Sequence, residues 1–222
     1  AAPKGRLILP QVMTISDIID HDAVAVTVKE RELRSCLANL AKPPKLVVTD
    51  SQAFLKVDAD TPKNIMMTSF SILMARYRGD LASFAYGARA LDELKPGDKV
   101  LMSEGCTHHQ QADDIGRVQI PRWIRQAVGG DIDFSFVSGK DFPPDVEQYK
   151  LIVQCGGCMV NRREMLYRQR VAKEAGVPMT NYGVLLAKVH GILDRALEPF
   201  GITISTPAKK KPVKRLKLER LG

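Results

Sequence analysis

Lys99-Val-Leu-Met-Ser-Glu-Gly-Cys106 and Tyr149-Lys-Leu-Ile-Val-Gln-Cys-Gly-Gly-Cys158 decide how this chain folds. Each sets a short apolar run just ahead of cysteine, and runs of that length bounded by turn residues read as buried strands. As parallel neighbours, the two strands bring Cys106, Cys155 and Cys158 to one edge of a sheet. Open α/β sheets place their ligand sites at that edge. Three of the four cysteines and two of the four histidines, His108 and His109, fall between Val100 and Asn161. The spacing is that of one split site, which we read as a metal site.

The same alternation extends in both directions. Ala23 to Val28 is rich in β-branched residues and predicts a strand, as do Leu46 to Thr49 and Asn64 to Thr68. Leu33, Leu37 and Leu40 recur at helical spacing within Glu30 to Leu40. Asp50-Ser51 is a candidate helix cap, and Ser69 opens a helix through Arg78. Beyond it, Leu81 to Leu94 is helical and closes at Pro96-Gly97-Asp98. Ile124 to Val128 ends a helix at Gly129-Gly130, and Asp131 to Val137 is a strand. Asn161 to Ala175 is a charged helix ended by Gly176, Pro178 to Tyr182 a brief strand, and Leu185 to Phe200 the last helix. Strands alternating with helices through short connections give an α/β fold with parallel sheets. We expect two small domains, each with a mainly parallel sheet flanked by helices, divided near Arg76 to Asp80: residues 1–78 and 79–205, followed by a tail, 206–222.

At 222 residues the chain is long enough for either domain to bury a core, and 45% hydrophobic content is that of an ordinary globular protein. No apolar run approaches the ~20 residues that span a bilayer. The chain opens Ala1-Ala2-Pro3 rather than with methionine, which we expect of a processed chain or a fragment. With no secretory signal, four cysteines point to a reducing, cytoplasmic setting and to metal or redox chemistry. Of the net charge of +8, six units come from residues 206–222, where seven Lys and Arg face Glu219 alone. That stretch reads as a solvated, disordered extension, and it argues no nucleic-acid function.

Cys155-Gly-Gly-Cys158 stands at a strand-to-helix junction, where helix-start amides favour thiolates. Cys106 is the third thiolate, and His108 offers an imidazole to the same centre. Three thiolates with one weaker ligand fit a [4Fe–4S] cluster with an exchangeable iron. They also fit a closed Cys3His zinc site, which would make a structural interaction module. A C-x-x-C thiol oxidoreductase is a third reading, to which Val177-Pro178 adds a resemblance to the thioredoxin proline turn. It leaves Cys106 and the histidine pair without a role. Thiols simply buried in the core are a fourth reading, and spacing does not choose iron over zinc.

Other motifs carry less. No G-x-x-x-x-G-K-[ST] is present, and Ser138-Gly-Lys140 is a turn-like fragment of one. Asp113-Asp-Ile-Gly116 has the form of a nucleotide switch without its phosphate loop and reads as a structural turn. Asp113 and Asp114 are solvated loop acids or orienters of an imidazole. Cys36, in line with Leu33, Leu37 and Leu40, is expected to be a buried structural thiol. His190 shares a helix face with Leu186, Leu193 and Leu197 and reads as a core histidine, while His21 reads as a loop residue.

Glu104-Gly-Cys-Thr-His-His109, Asp113-Asp-Ile-Gly-Arg117, Cys155-Gly-Gly-Cys-Met159, Asn161-Arg-Arg-Glu-Met165 and Thr180-Asn-Tyr-Gly183 together resemble HydF, the maturation GTPase and scaffold family of [FeFe]-hydrogenase. Gly5 to Pro10, Thr49 to Gln52 and Thr68 to Asp80 are similar to the first half of the same region. The family has a GTPase domain, a dimerisation domain and a cluster-binding domain, and this chain resembles the last two. The resemblance implies a homodimer holding a [4Fe–4S] cluster on Cys106, Cys155 and Cys158, with His108 as first histidine. It also implies a di-iron precursor cargo, received from radical-SAM maturases and delivered to the hydrogenase. Gln154 stands where the family pattern has a second histidine. Glutamine is a poor iron ligand, so His108, His109 or a water becomes the candidate for the fourth position. GTP belongs to the domain outside this resemblance. The chain as it stands is expected not to hydrolyse GTP, and phosphate release above background from a clean preparation would overturn that.

Overall fold

The computed structural model describes residues 7–105, 114–139 and 141–204. The first half contains α1 (Leu9–Asp20), α2 (Leu33–Asn39), β1 (Leu46–Thr49), α3 (Phe54–Asp60), β2 (Met66–Ser69) and α4 (Phe70–Arg78). β1 and β2 pair in parallel, Leu46 opposite Met66 through Thr49 opposite Ser69. Ser69 caps α4 as its sequence predicts, its hydroxyl accepting the Ile72 N–H. Asp50 makes no such cap. Its carboxylate instead accepts a 3.0 Å bond from Gln11 Nε2, tying α1 to the end of β1.

The second half contains α5 (Leu81–Gly87), β3 (Lys99–Glu104), α6 (Ile120–Val128), β4 (Asp133–Ser138), β5 (Leu151–Gln154), α7 (Arg162–Glu174), β6 (Met179–Asn181), α8 (Tyr182–Val189) and α9 (Leu193–Leu197). Its four strands form one parallel sheet in the order β4-β3-β5-β6. β3 and β5 are the expected neighbours, Val100 opposite Leu151 through Ser103 opposite Gln154. Both are buried along almost their whole length, as strands covered on two faces must be. The chain runs from β3 outward to β4, then crosses back to place β5 on the other side of β3. The switch point of the sheet therefore lies between β3 and β5.

Three sequence expectations fail here. Ala23 to Val28 is not a strand among the described residues; it has no regular structure, with Val24 88% and Val26 57% exposed. A β-branched run becomes a strand only when an edge satisfies its backbone, and among the described residues no strand pairs with this one. The last helix is broken, because Gly191 at φ +72° ends α8 before α9 begins. His190, at that break, is half-buried and lies edge-on to Trp123 with ring centroids 5.5 Å apart. Partial burial lowers its pKa, and it stands at a helix end rather than in the core on a helix face as its spacing predicts. Cys36 is only partly buried, and lines a cavity of about 280 Å³ with Ile15, Ile18, Leu33 and Leu37.

One continuous apolar core runs through both halves. Polar contacts add to it: Thr68 Oγ1 donates to Ala196 O at 2.9 Å, and Arg162 Nη1 to Tyr77 O at 3.1 Å. Arg195 on α9 is the strongest clamp. It donates to the Asp58 carboxylate and to the carbonyls of Thr61 and Pro62 at 2.9 and 2.8 Å. Partial burial of Asp58 raises its pKa, but the hydrogen bonds from Arg195 and Lys63 outweigh this and leave it lowered. A carboxyl of lowered folded pKa stabilises fully above its unfolded value and loses that contribution as pH falls through the folded one. Asp58→Asn is therefore expected to cost about 1–3 kcal/mol at pH 7. In urea melts the gap to the native sequence should persist to about pH 4 and close below it.

Candidate metal centre

Cys155 follows β5 directly, and its N–H donates to Ser103 O at 2.8 Å, continuing the β3 ladder one residue past the strand. Its Sγ accepts three N–H groups: Gly105 at 3.0 Å, Gly157 at 3.4 Å and Gln154 Nε2 at 3.4 Å. Gly105 immediately precedes Cys106 in the chain, so the ends of the two expected strands do meet at a cysteine sulfur. The amides differ from those expected. α7 begins only at Arg162, four residues beyond Cys158, and the donors are a neighbouring strand end and the turn between the cysteines.

Two glycines make this possible. Gly157 has φ +67°, and a Cβ there would lie 2.5 Å from Met165 Cε. A Cβ on Gly105 would lie 2.5 Å from Val160 Cγ2 and 3.4 Å from Cys155 Sγ, pushing β3 off the sulfur it donates to. Burial raises the Cys155 thiol pKa above its ordinary value, and the Cys158 thiol beside it adds to the rise; the bonds from Gly157, Gly105 and Gln154 oppose both. Without a metal the sulfur is thus a protonated thiol in a site built of donors. A metal ion displaces such a proton, and the three N–H groups then meet a thiolate. Cys158 is partly buried in the same turn.

Cys106, His108, His109 and Asp113 lie outside the described residues. Among the described residues no group of three or more His, Cys, Asp or Glu is set to hold a metal ion. The fit of the site to a sulfur-bound metal group therefore rests on Cys155, Cys158 and the donors around them, and that donor set fits. Gln154 is not a ligand in waiting. It is fully buried, and its Oε1 accepts from Ser103 Oγ at 3.0 Å and from Arg168 Nη1 at 3.3 Å.

The wall beside the cysteines holds residues that the sequence pattern did not single out. Glu104 is 2% exposed, with Oε2 accepting from Arg117 Nη2 and Ser138 Oγ, each at 3.1 Å. Its Oε1 and the hydroxyl of Tyr182 are buried without hydrogen-bond partners among the described residues, and both face Gly116, where a Cβ would lie 2.9 and 2.3 Å away. Burial, then the nearby Cys155, Glu104 and Asp114, hold the Tyr182 phenol well above its usual pKa. Asp114 is neither a solvated acid nor part of a nucleotide switch. It is buried and caps a single π-turn over Ile115–Gln119, accepting the Gly116 and Arg117 N–H groups at 2.9 and 3.0 Å. Ser138 ends β4 as a partner of Glu104. Arg168 could have been found, since it falls with Met165 and Ala172 on the buried stripe of an otherwise charged helix.

Comparison with known families accounts for nearly all of the described chain. Residues 1–79 match the Hydrogen maturase F dimerization domain, and residues 82–199 match the Hydrogen maturase F tetramerization domain. No curated protein matches it. Both matches support self-association, and no helix among the described residues is long and apolar enough to cross a membrane. The second match alone spans more than half of the chain, which therefore belongs to the hydrogen maturase F (HydF) family and takes part in hydrogenase maturation.

Proposed function

We propose that the chain is an iron–sulfur scaffold and carrier of hydrogenase maturation. It would hold a [4Fe–4S] cluster on Cys106, Cys155 and Cys158 with its fourth position exchangeable. From there it would pass a di-iron precursor, supplied by radical-SAM maturases, to [FeFe]-hydrogenase. The observation that carries this reading is the convergence of three N–H groups on Cys155 Sγ at the switch point of the parallel sheet. When bound, the cluster supplies an iron open to a bridging ligand, and a closed site could neither accept nor release one. The protein's own part is to hold the sulfurs, donate hydrogen bonds to them and keep Gln154 turned away from the fourth position. That position is left to His108, His109 or an exogenous ligand.

The oxidoreductase reading is weaker, because an attacking thiol needs ready access to its thiolate and burial pushes Cys155 the other way. A zinc module uses the same sulfurs, and metal content separates it. Anaerobic reconstitution with iron and sulfide should give about four irons and four sulfides per chain, with the EPR signal of a reduced cluster in dithionite. Cys155→Ser and Cys158→Ser should each lose it, while Cys36→Ser keeps it. One tightly held zinc and no cluster would overturn the scaffold reading.

Self-association we place at the first sheet. β1 pairs only with β2 among the described residues, and beside it Ala23 to Val28 leaves β-branched side chains exposed. A second copy of the chain supplies the missing edge. Light scattering at roughly tens of micromolar, the range of weak dimers, should give a dimer or larger assembly. A monomer would count against that placement.

A further inference from the structure

Gln154 and Arg168 are buried polar side chains joined by a 3.3 Å hydrogen bond at the strand end that leads into Cys155. Arg168 reaches from α7 to the end of the sheet at 1% exposure. Its Nε donates to Glu164 Oε1 at 2.9 Å, and its Nη2 to Gly139 O at 2.6 Å. Nη1 donates to Ser103 Oγ at 3.1 Å and to Gln154 Oε1 at 3.3 Å, and the guanidinium lies over the Phe142 ring at 5.2 Å. A guanidinium has donors and no acceptor. The Gln154 carboxamide must therefore turn its oxygen toward Arg168, which leaves its NH2 facing the other way. Cys155 Sγ lies there, 3.4 Å from Nε2. Ser103 reinforces the choice, because its hydroxyl accepts from Arg168 and gives its own proton to the same Gln154 oxygen.

We propose that Gln154 and Arg168 are positioning residues for the cluster sulfur: the buried guanidinium fixes the flip of the Gln154 amide so that an N–H points at Cys155 Sγ, and this bond raises the reduction potential of the iron–sulfur group that the sulfur holds. The inference rests on the scaffold reading above. A reduced cluster carries one more negative charge than an oxidised one, spread over its sulfurs. A donor aimed at a ligating sulfur therefore stabilises the reduced form more. Where the family pattern has histidine, this chain has a residue that tunes the sulfur and offers the iron nothing.

The test is a redox titration followed by EPR on the reconstituted native protein, Gln154→Met, Arg168→Lys and the double variant. Gln154→Met keeps length and neutrality but removes the donor, so its potential should fall and the g-values of the reduced signal should move. Arg168→Lys keeps the charge but not the fork, so its potential should fall in the same direction by less. In the Gln154→Met background Arg168→Lys should add nothing, because Arg168 acts through the amide. Melting of the metal-free variants is recorded alongside. Lower melting temperatures with an unmoved potential and signal would make the network purely structural and overturn the inference. Equal shifts from Arg168→Lys with and without Gln154 would overturn the role given to Arg168. If Arg168→Lys does not fold, Gln154→Met alone still decides whether the sulfur bond sets the potential. A native chain that takes up no cluster overturns this inference together with the scaffold reading, whereas a native cluster that Gln154→Met leaves unchanged overturns this inference alone.

Discussion

The pairing of β3 with β5 is the constraint on which the rest depends. Ser103 stands opposite Gln154, and the Cys155 N–H continues the ladder onto Ser103 O. A slip of one residue would turn Cys155 to the other face of the sheet and carry its sulfur away from the Gly105 amide. Register here is secured from within, since Val100, Leu101, Met102, Leu151, Ile152 and Val153 are all fully buried. Apolar burial far from any ligand thus fixes the position of a sulfur to within hydrogen-bonding distance of a neighbouring strand.

Energetics separate what stabilises the site from what shapes it. Taking a guanidinium out of water costs several kcal/mol even after relaxation. The bonds of Arg168 to Glu164, Gly139, Ser103 and Gln154 offset that cost, and a buried charge so paired commonly gains little net stability over apolar packing. An apolar side chain of similar volume would serve stability as well. What it could not do is choose one of two amide orientations, and that choice decides whether the Cys155 sulfur meets an N–H or an oxygen lone pair. Orientation, more than stability, is the physical reason for charge at this place.

The sheet of the second half was legible because its strands are short apolar runs ended by turn residues, and burial on both faces writes that pattern without ambiguity. The meeting of the two strand ends beside Cys155 followed from the topology that the spacing predicts. Ala23 to Val28 misled because β-propensity reports the fit of a side chain to a pleated surface and says nothing of whether an edge is there to receive it. Glu104 and Tyr182 were invisible for another reason. They stand far apart in the sequence and meet only at Gly116, and no local period records that. Arg168 shows on the buried stripe of α7, but its partners on other elements do not. Gln154 was read from its chemistry as a poor iron ligand, but its hydrogen bond from Arg168 is one that spacing alone could not show.

The cysteine turn is also not a detachable module. Ser71, in the first turn of α4, accepts the Gly183 N–H on its hydroxyl at 3.1 Å, and Asn181 Nδ2 donates to both its hydroxyl and its carbonyl at 3.1 Å. A Cβ on Gly156 would lie 3.5 Å from that hydroxyl, so α4 stands against the C-x-x-C turn. α4 follows directly from β2, the partner of β1, whose other edge is where we place self-association. The half of the chain that matches a dimerization domain therefore forms one wall of the cysteine site in the other half. Removing that half would strip Asn181 and Gly183 of their partner and expose the apolar core that both halves share. The self-association half and the cysteine turn are built on one packed body, and the Cys155 sulfur inherits whatever rigidity that body has.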